Sequence, residues 1–461
     1  MTWYKRLFRY PEVWLLGVAA LFSRLIFIGN PPSIIFDEVY FRSFATDYLS
    51  GHYFFDIHPP LMKLFFAGSA HLLGLSPEQL GGDDPAGTVL RILPALAGAA
   101  LVPLVYVLLR QFSLGRRVAT LGGLLVLLDN ALLVESRLIV MDSVLLLVGI
   151  GAMSAYVALR GSAGLRRVAW VGVVAILIGI LVSIKWSGLA IAGLIGLVWL
   201  YEGIKRHTGW QRLFAEAGLG FVIAATIYIG SFMVHFSLLD RSGEGDAFMS
   251  ERFQSTLQGN PLYSESAGMA FWDKFVELNA QMYTAQDSLI GVEHPYASEW
   301  YTWPLQLRPV YYWQGAEIEG LQAHIYLLGN PMVWWGSAVG ALVALLLWLA
   351  RPRSLGRHRT LVGFLLFGYM ANFLPFAFID RPMFLYHYLF ALIFAILLTC
   401  VLLALLFDWQ AQKYGRKTVY QTSWGIAAAL MLGFIYFIPV SFGVPLTVSD
   451  LGRYMWLPSW R

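Results

Sequence analysis

Apolar residues along this chain cluster in long unbroken runs and do not alternate with polar ones. Eleven runs stand out, at 13–29, 88–109, 118–135, 141–159, 168–184, 188–203, 214–238, 332–350, 360–379, 385–407 and 421–440. A helix of about 20 apolar residues crosses the hydrocarbon core of a bilayer. The pattern therefore predicts an all-α polytopic membrane protein with about 11 transmembrane helices. Two long segments, 30–87 and 239–331, interrupt it. In the first, Tyr40, Phe41, Phe44 and Tyr48 recur at helical spacing over 37–50, and Gly51 ends the run. A second short helix should follow Pro59-Pro60, with Leu61, Leu64, Phe65 and Leu72 on one side. Both suit interfacial helices lying along a membrane surface. No internal repeat or flexible linker divides the chain, so residues 1–461 read as one domain.

Composition agrees with the pattern. Of the 461 residues 58% are hydrophobic and 13% charged, where soluble domains carry roughly 25% charged residues. The formal charge of +4 does not point to nucleic acid, because the basic residues sit in short loops and not on one face. With a single cysteine, Cys400, no intrachain disulfide can form. The N-terminal Lys5, Arg6 and Arg9 ahead of an apolar run imitate a secretory signal, but no small-residue cleavage site precedes Asn30, so an uncleaved anchor is expected. Alternate loops hold 19 of the 32 basic residues, whereas the short loops between them hold one each, Arg137, Lys185 and Arg381. Excess Lys and Arg mark the cytoplasmic side. The expected topology has a cytoplasmic N-terminus, with 30–87, 239–331 and the C-terminal tail outside. The segment 239–331 carries 12 acidic against four basic residues and many Trp and Tyr, which places the working surface outside.

The sharpest local feature is the adjacent pair Asp37-Glu38, where the chain leaves the first run. Asp37 either caps the following helix, with Glu38 in its first turn, or supplies a general base. Arg24 and Arg91 lie inside apolar runs, where a cation is costly; they either snorkel to the interface or hold an anion such as a lipid phosphate. Glu135, Arg137 and Asp142 crowd one short loop as a buried ion pair or a functional group. Lys185 is an interfacial anchor or a second phosphate contact. His387, in a Leu-Tyr-His-Tyr stretch ending at Tyr388, is a satisfied histidine or a ligand. Asp56 and His58, two apart, suggest a metal only weakly.

At these residues the sequence resembles the protein O-mannosyltransferase family, integral membrane enzymes of the C-type glycosyltransferase fold. The matching stretches include FDEVYFRSFATDYLSGHYFFDIHPPLMKL (36–64), ESRLIVMDSVLL (135–146), VSIKWSGL (182–189), WYTWPLQLRPVYYW (300–313) and FLYHYLFAL (384–392). The resemblance implies inverting transfer of mannose from a polyprenyl-phosphate mannose to Ser or Thr hydroxyls of acceptor proteins. By position Asp37 resembles the catalytic base, Glu38 its partner, and Arg91 the arginine that holds the donor phosphate. On that reading Arg24, Arg137 and Lys185 join the phosphate site, while Asp56, His58, Asp142, Trp303, His387 and Tyr388 are candidates for substrate contact. Tyr40 stands where the family often has a histidine. The outer loop has no room for an inserted β-trefoil, which favours a prokaryotic member at the plasma membrane.

Phosphate is a competent leaving group, so the chemistry requires no cofactor, and a divalent cation stays open as an accessory. A glycosyltransferase acting on a glycolipid is the alternative enzyme. A transporter ranks lower, since transporters place polar groups at the midplane. The aromatic stretch Tyr296–Trp313 is expected to cover the site and seat the acceptor, with Trp303 in contact, or else its tryptophans anchor the loop at the membrane interface.

Overall fold

The computed structural model describes residues 10–81, 84–286, 290–291 and 293–461. Lys5, Arg6 and Arg9 lie outside the described residues. Among those described, nine helices are long and apolar enough to cross a membrane, and they coincide with nine of the eleven expected runs. The first expected run forms a 15-residue helix, α1 (Pro11–Leu25). The run 118–135 is two pieces, because Asp129 interrupts it. Its Oδ1 accepts the Leu132 N–H at 2.9 Å, and its Oδ2 accepts Asn330 N at 3.1 Å and Trp334 Nε1 at 2.9 Å. A buried carboxylate needs such donors, and a continuous helix has no free N–H to give it.

In chain order the helices of the first long segment are α2 (Glu38–Ser50) and α3 (Leu61–Leu72). On α2, Phe41 and Tyr48 turn inward, whereas Tyr40 is exposed. Then follow α4 (Ile92–Gln111), α5 (Arg116–Leu127), α6 (Asn130–Glu135), α7 (Asp142–Arg160), α8 (Gly164–Ile184), α9 (Leu189–Lys205) and α10 (Trp210–Leu238). The segment 239–331 contains α11 (Phe271–Thr284) and, against an all-α expectation, a two-stranded antiparallel hairpin of β1 (Val310–Gln314) and β2 (His324–Leu327). The chain ends with α12 (Pro331–Ala350), α13 (Arg359–Ala371), α14 (Leu389–Tyr414) and α15 (Arg416–Phe442).

Helix α4 packs on α1, α5 and α7, and α8 packs on α7 and α10. Helix α14, largely buried, packs on α5, α12, α13 and α15 and joins the two halves of the chain. Apolar side chains gain little from leaving lipid, so close backbone approach is what holds such helices together. At Gly340 of α12 an added Cβ would fall 2.0 Å from Thr399 Oγ1 on α14, and at Gly122 of α5 it would fall 2.1 Å from a Leu109 methyl on α4.

Candidate active site

The chain leaving α1 is irregular from Ile26 to Phe36, and its carbonyls have no helical partner. Buried carbonyls of this kind must be met by side-chain donors. Arginines meet them. Arg137 donates to the carbonyls of Arg24, Ile26 and Phe27 at 2.7–2.9 Å. Arg91 donates to Pro31 O and Ser33 O, each at 2.8 Å, and to Ile28 O at 3.3 Å. Arg24 turns the other way and caps α5 through Val126 O and Leu127 O, both at 3.2 Å.

The remaining edge of Arg91 pairs with Glu38 in a two-pronged contact, Nε to Oε1 and Nη2 to Oε2, both 2.7 Å. Both side chains are fully buried. Glu38 also accepts Ile35 N at 3.0 Å and Ile139 N at 2.9 Å. One carboxylate thus ties together the exit from α1, the start of α2, the loop before α7 and α4. These contacts correct the sequence reading. Glu38 is saturated, all five N–H groups of Arg91 donate within the protein, and Arg24 and Arg137 turn their forks to backbone carbonyls, so none of the three arginines lines the cavities beside Asp37.

Asp37 is held differently. Its side chain makes no capping bond to α2, against the expectation of a helix cap. Phe36 before it has φ +47°, a left-handed conformation that a bulky residue adopts only when its surroundings impose it. The Phe36 ring stacks on Tyr312 of β1 with centroids 4.4 Å apart. That turn directs Asp37 into a cavity of about 530 Å³, which is also lined by Asp56, His58, Glu135, Asp142, Lys185, Tyr312, Arg381, Tyr386 and His387. A second chamber of about 360 Å³ adjoins it, sharing His58, Asp142, Lys185, Arg381, Tyr386 and His387 as a common wall. The rest of the second chamber is mostly apolar, with Leu145, Leu146, Ala190, Ala371, Phe376 and Phe390 from α7, α9, α13 and α14 and their flanks.

Burial, reinforced by the nearby charge of Asp142, pushes the Asp37 carboxyl up to about 7. Burial likewise pushes His58 down to about 3, so it is neutral. Burial also opposes ionisation of Asp56, but its ion pair with Lys63 outweighs this and holds the carboxyl below its usual range. Lys63 also donates to His58 O at 2.6 Å, which fixes the turn carrying Asp56 and His58. Among the described residues no three His, Cys, Asp or Glu side chains converge as a metal ion requires.

Lys185 reaches the common wall because α8 stops there and its backbone turns extended before the short helix Trp186–Gly188. Its ammonium lies 3.5 Å from Asp142 Oδ1 and over the Tyr386 ring. Arg381 is the second cation on that wall, and its buried Nε has no hydrogen-bond partner among the described residues. The sequence reading counted Arg381 only as a loop charge; its isolation among outer loops, six residues before His387, was the available signal. It also missed the pair made by Tyr312, whose hydroxyl donates to Glu135 Oε2 at 2.8 Å on the cavity wall. His387 lines both chambers. Two expected contacts lie behind the wall. Trp303 is fully buried, donates to Ser298 Oγ at 2.9 Å, stacks behind His387 and meets Phe376 edge-on. Tyr388 shares a hydrogen bond with Tyr369 at 3.2 Å in the core.

Comparison with known proteins places nearly the whole chain beside one family. The family model of dolichyl-phosphate-mannose-protein mannosyltransferase matches residues 14–240, and that of the C-terminal four-helix membrane region of protein-O-mannosyltransferase matches 271–460. The chain belongs to the protein O-mannosyltransferase family. Among similar curated proteins, dolichyl-phosphate-mannose–protein mannosyltransferase 1 of Candida albicans is 30% identical over 280 residues, covering 56% of this chain and 32% of that protein. Protein O-mannosyltransferase 1 of Drosophila melanogaster is 33% identical over 265 residues, covering 53% and 30%. The aligned stretch is about a third of the length of these relatives. The S. cerevisiae protein O-mannosyltransferase Pmt1-Pmt2 complex bound to the sugar donor superposes with a TM-score of 0.86 at 19% identity, covering 98% of this chain and 92% of that one. An oligosaccharyltransferase from Archaeoglobus fulgidus gives 0.56 at 14% identity, covering 100% and 57%. The protein O-mannosyltransferase chain thus has the C-type glycosyltransferase fold.

Proposed function

We propose that this chain transfers mannose from a polyprenyl-phosphate mannose to Ser or Thr hydroxyls of extracytoplasmic proteins, with inversion at the anomeric carbon. The observation that carries the reading is the placement of Asp37 in one chamber and of Lys185 and Arg381 on the wall shared with a second, apolar one. Inversion needs an acceptor oxygen on one face of the sugar and a departing phosphate on the other. A carboxyl with a pKa of about 7 is a stronger base than an ordinary one and is still partly ionised at neutral pH. It suits removal of the hydroxyl proton as the new bond forms. Lys185 and Arg381 suit the phosphate, whose charge grows as the glycosidic bond breaks, and cations fixed there stabilise the transition state more than the ground state. The apolar chamber suits the polyprenyl chain and the larger one the mannose, with Asp37 at the acceptor side.

The asymmetry of basic loops supports a cytoplasmic N-terminus with the site outside. The 239–331 loop, which has no room for an inserted β-trefoil, favours a prokaryotic member at the plasma membrane, and a reporter fused after Arg461 should be active only outside. The direct test is to incubate purified protein with polyprenyl-phosphate mannose and a Ser/Thr-rich peptide and to weigh the peptide. A gain of one hexose per modified residue supports the proposal. Hexose appearing only on added glycolipid would replace it with the lipid-modifying alternative.

A further inference from the structure

A separate cavity of about 770 Å³ opens at the opposite end of the helices from Asp37, where the α4–α5 turn, the approach to α13 and the α14–α15 turn meet. Its floor is apolar, built of the buried Leu114, Val118, Phe407 and Val419. Its rim carries Arg116, Arg117, Arg357 and Arg416, with Asp408 the single acidic residue lining it among the described residues. Arg116 is already engaged, donating to both carboxylate oxygens of Glu12 at 2.7 and 2.8 Å. Arg357 donates Nε to His358 Nε2 at 3.2 Å and meets Asp408 at 3.9 Å between exposed side chains, a contact worth little. Arg117 sits over the Tyr420 ring, its guanidinium carbon 3.7 Å from the ring centroid. A cation held on an aromatic face can still donate its N–H groups to a phosphate acceptor. Arg416 has no hydrogen bond or ion pair among the described residues. The helices α5 and α15 both start at this rim without a side-chain cap, so the N–H groups of their first turns add to the positive field.

Four arginines against Glu12 and Asp408 leave a net charge of +2 around an apolar floor at the ends of membrane helices. We propose that this cavity binds the phosphodiester headgroup of an anionic phospholipid from the leaflet opposite the active site. The charge selects an anion. The apolar floor, set where α14 ends and α15 begins, selects a lipid over a soluble phosphate.

The test uses the full-length protein in phosphatidylcholine nanodiscs titrated with labelled phosphatidylglycerol, comparing wild type with a variant carrying Arg117→Gln, Arg357→Gln and Arg416→Gln. A second variant carrying Arg166→Gln, Lys205→Gln and Arg353→Gln removes the same charge outside the cavity. Each basic group near an anionic lipid contributes a factor of about five, so the cavity variant should bind on the order of 10²-fold more weakly while the control binds as wild type. The single Arg416→Gln change, which breaks no contact within the protein, should weaken binding about five-fold with an unchanged melting temperature. Equal loss in the cavity and control variants would reduce the effect to general surface charge and overturn the proposal. Displacement of the labelled lipid by inorganic phosphate or glycerol phosphate would overturn it in favour of a soluble anion. Equal retention of phosphatidylcholine would overturn the charge selection.

Discussion

Replacing Arg91 with alanine removes five hydrogen bonds, two of them to Glu38. Glu38 is fully buried and keeps only the Ile35 and Ile139 N–H groups as donors. Breaking one partner out of a buried ion pair costs about 3–5 kcal/mol, and the orphaned carbonyls of Pro31 and Ser33 add to it. Lysine at 91 cannot restore a planar fork and should recover only part of the loss. The assay is thermal melting of the purified variants in detergent, with donor binding measured per folded molecule. Arg91→Ala should melt well below wild type, whereas the donor affinity of the folded fraction stays near normal. The double variant with Glu38→Ala should be less destabilised than the sum of the two single changes, because the second change removes the stranded charge. A phosphate-binding Arg91 would behave otherwise. Normal melting with lost donor affinity, and no coupling to Glu38, would refute the structural role.

Lys185→Ala and Arg381→Ala should each raise the donor Kd and slow transfer without lowering the melting temperature, and Lys185→Arg should restore part of the affinity; equilibrium donor binding checks both. Burial raises the Asp37 pKa from 3.8 to about 7, so the ionised base accumulates as pH rises and single-turnover transfer should climb through about pH 7 to a plateau. The same shift has the opposite sign for stability. The folded form holds this proton more tightly than the unfolded form, so stability falls between about pH 4 and 7 and levels above; Asp37→Asn should flatten that slope and melt higher at pH 8. Trp303→Ala opens a void behind His387 and should cost about 3–5 kcal/mol in stability, in contrast to the selective rise in acceptor KM expected of a residue touching the acceptor.

The helices were largely legible in the sequence because a lipid-exposed helix must be apolar along its whole length, a signal that needs no partner to be read. The broken run at 118–135 was not, because Asp129 makes sense only beside Asn330 and Trp334, two hundred residues away. At the site, charge in an apolar context drew attention to Arg24, Arg91 and Arg137. Sequence separates a cation facing a ligand from one facing backbone only by what stands opposite, and here that was the irregular loop 26–36, whose carbonyls carry no sequence signature. Arg381 and Tyr312 were missed for the complementary reason. Each looks like an ordinary loop residue until β1 and the turn before α14 close over Asp37. Asp37 was visible as one of a carboxylate pair, and what the structure adds is that Glu38 is saturated by Arg91, Ile35 and Ile139 whereas Asp37 lines a cavity.

The most direct test of the role of Asp37 is single-turnover transfer by Asp37→Asn, run beside donor binding on the same preparation. Asparagine keeps the size of the side chain, and Asp37 makes no capping bond whose loss could disturb α2. Removal of a general base typically slows the chemical step by about 10²–10⁴-fold. The variant should therefore bind polyprenyl-phosphate mannose as wild type or slightly more tightly, since a negative charge has left the cavity, while mannose transfer to the peptide falls by that factor. Transfer by the folded variant at near the wild-type rate would contradict the role of Asp37 as the base.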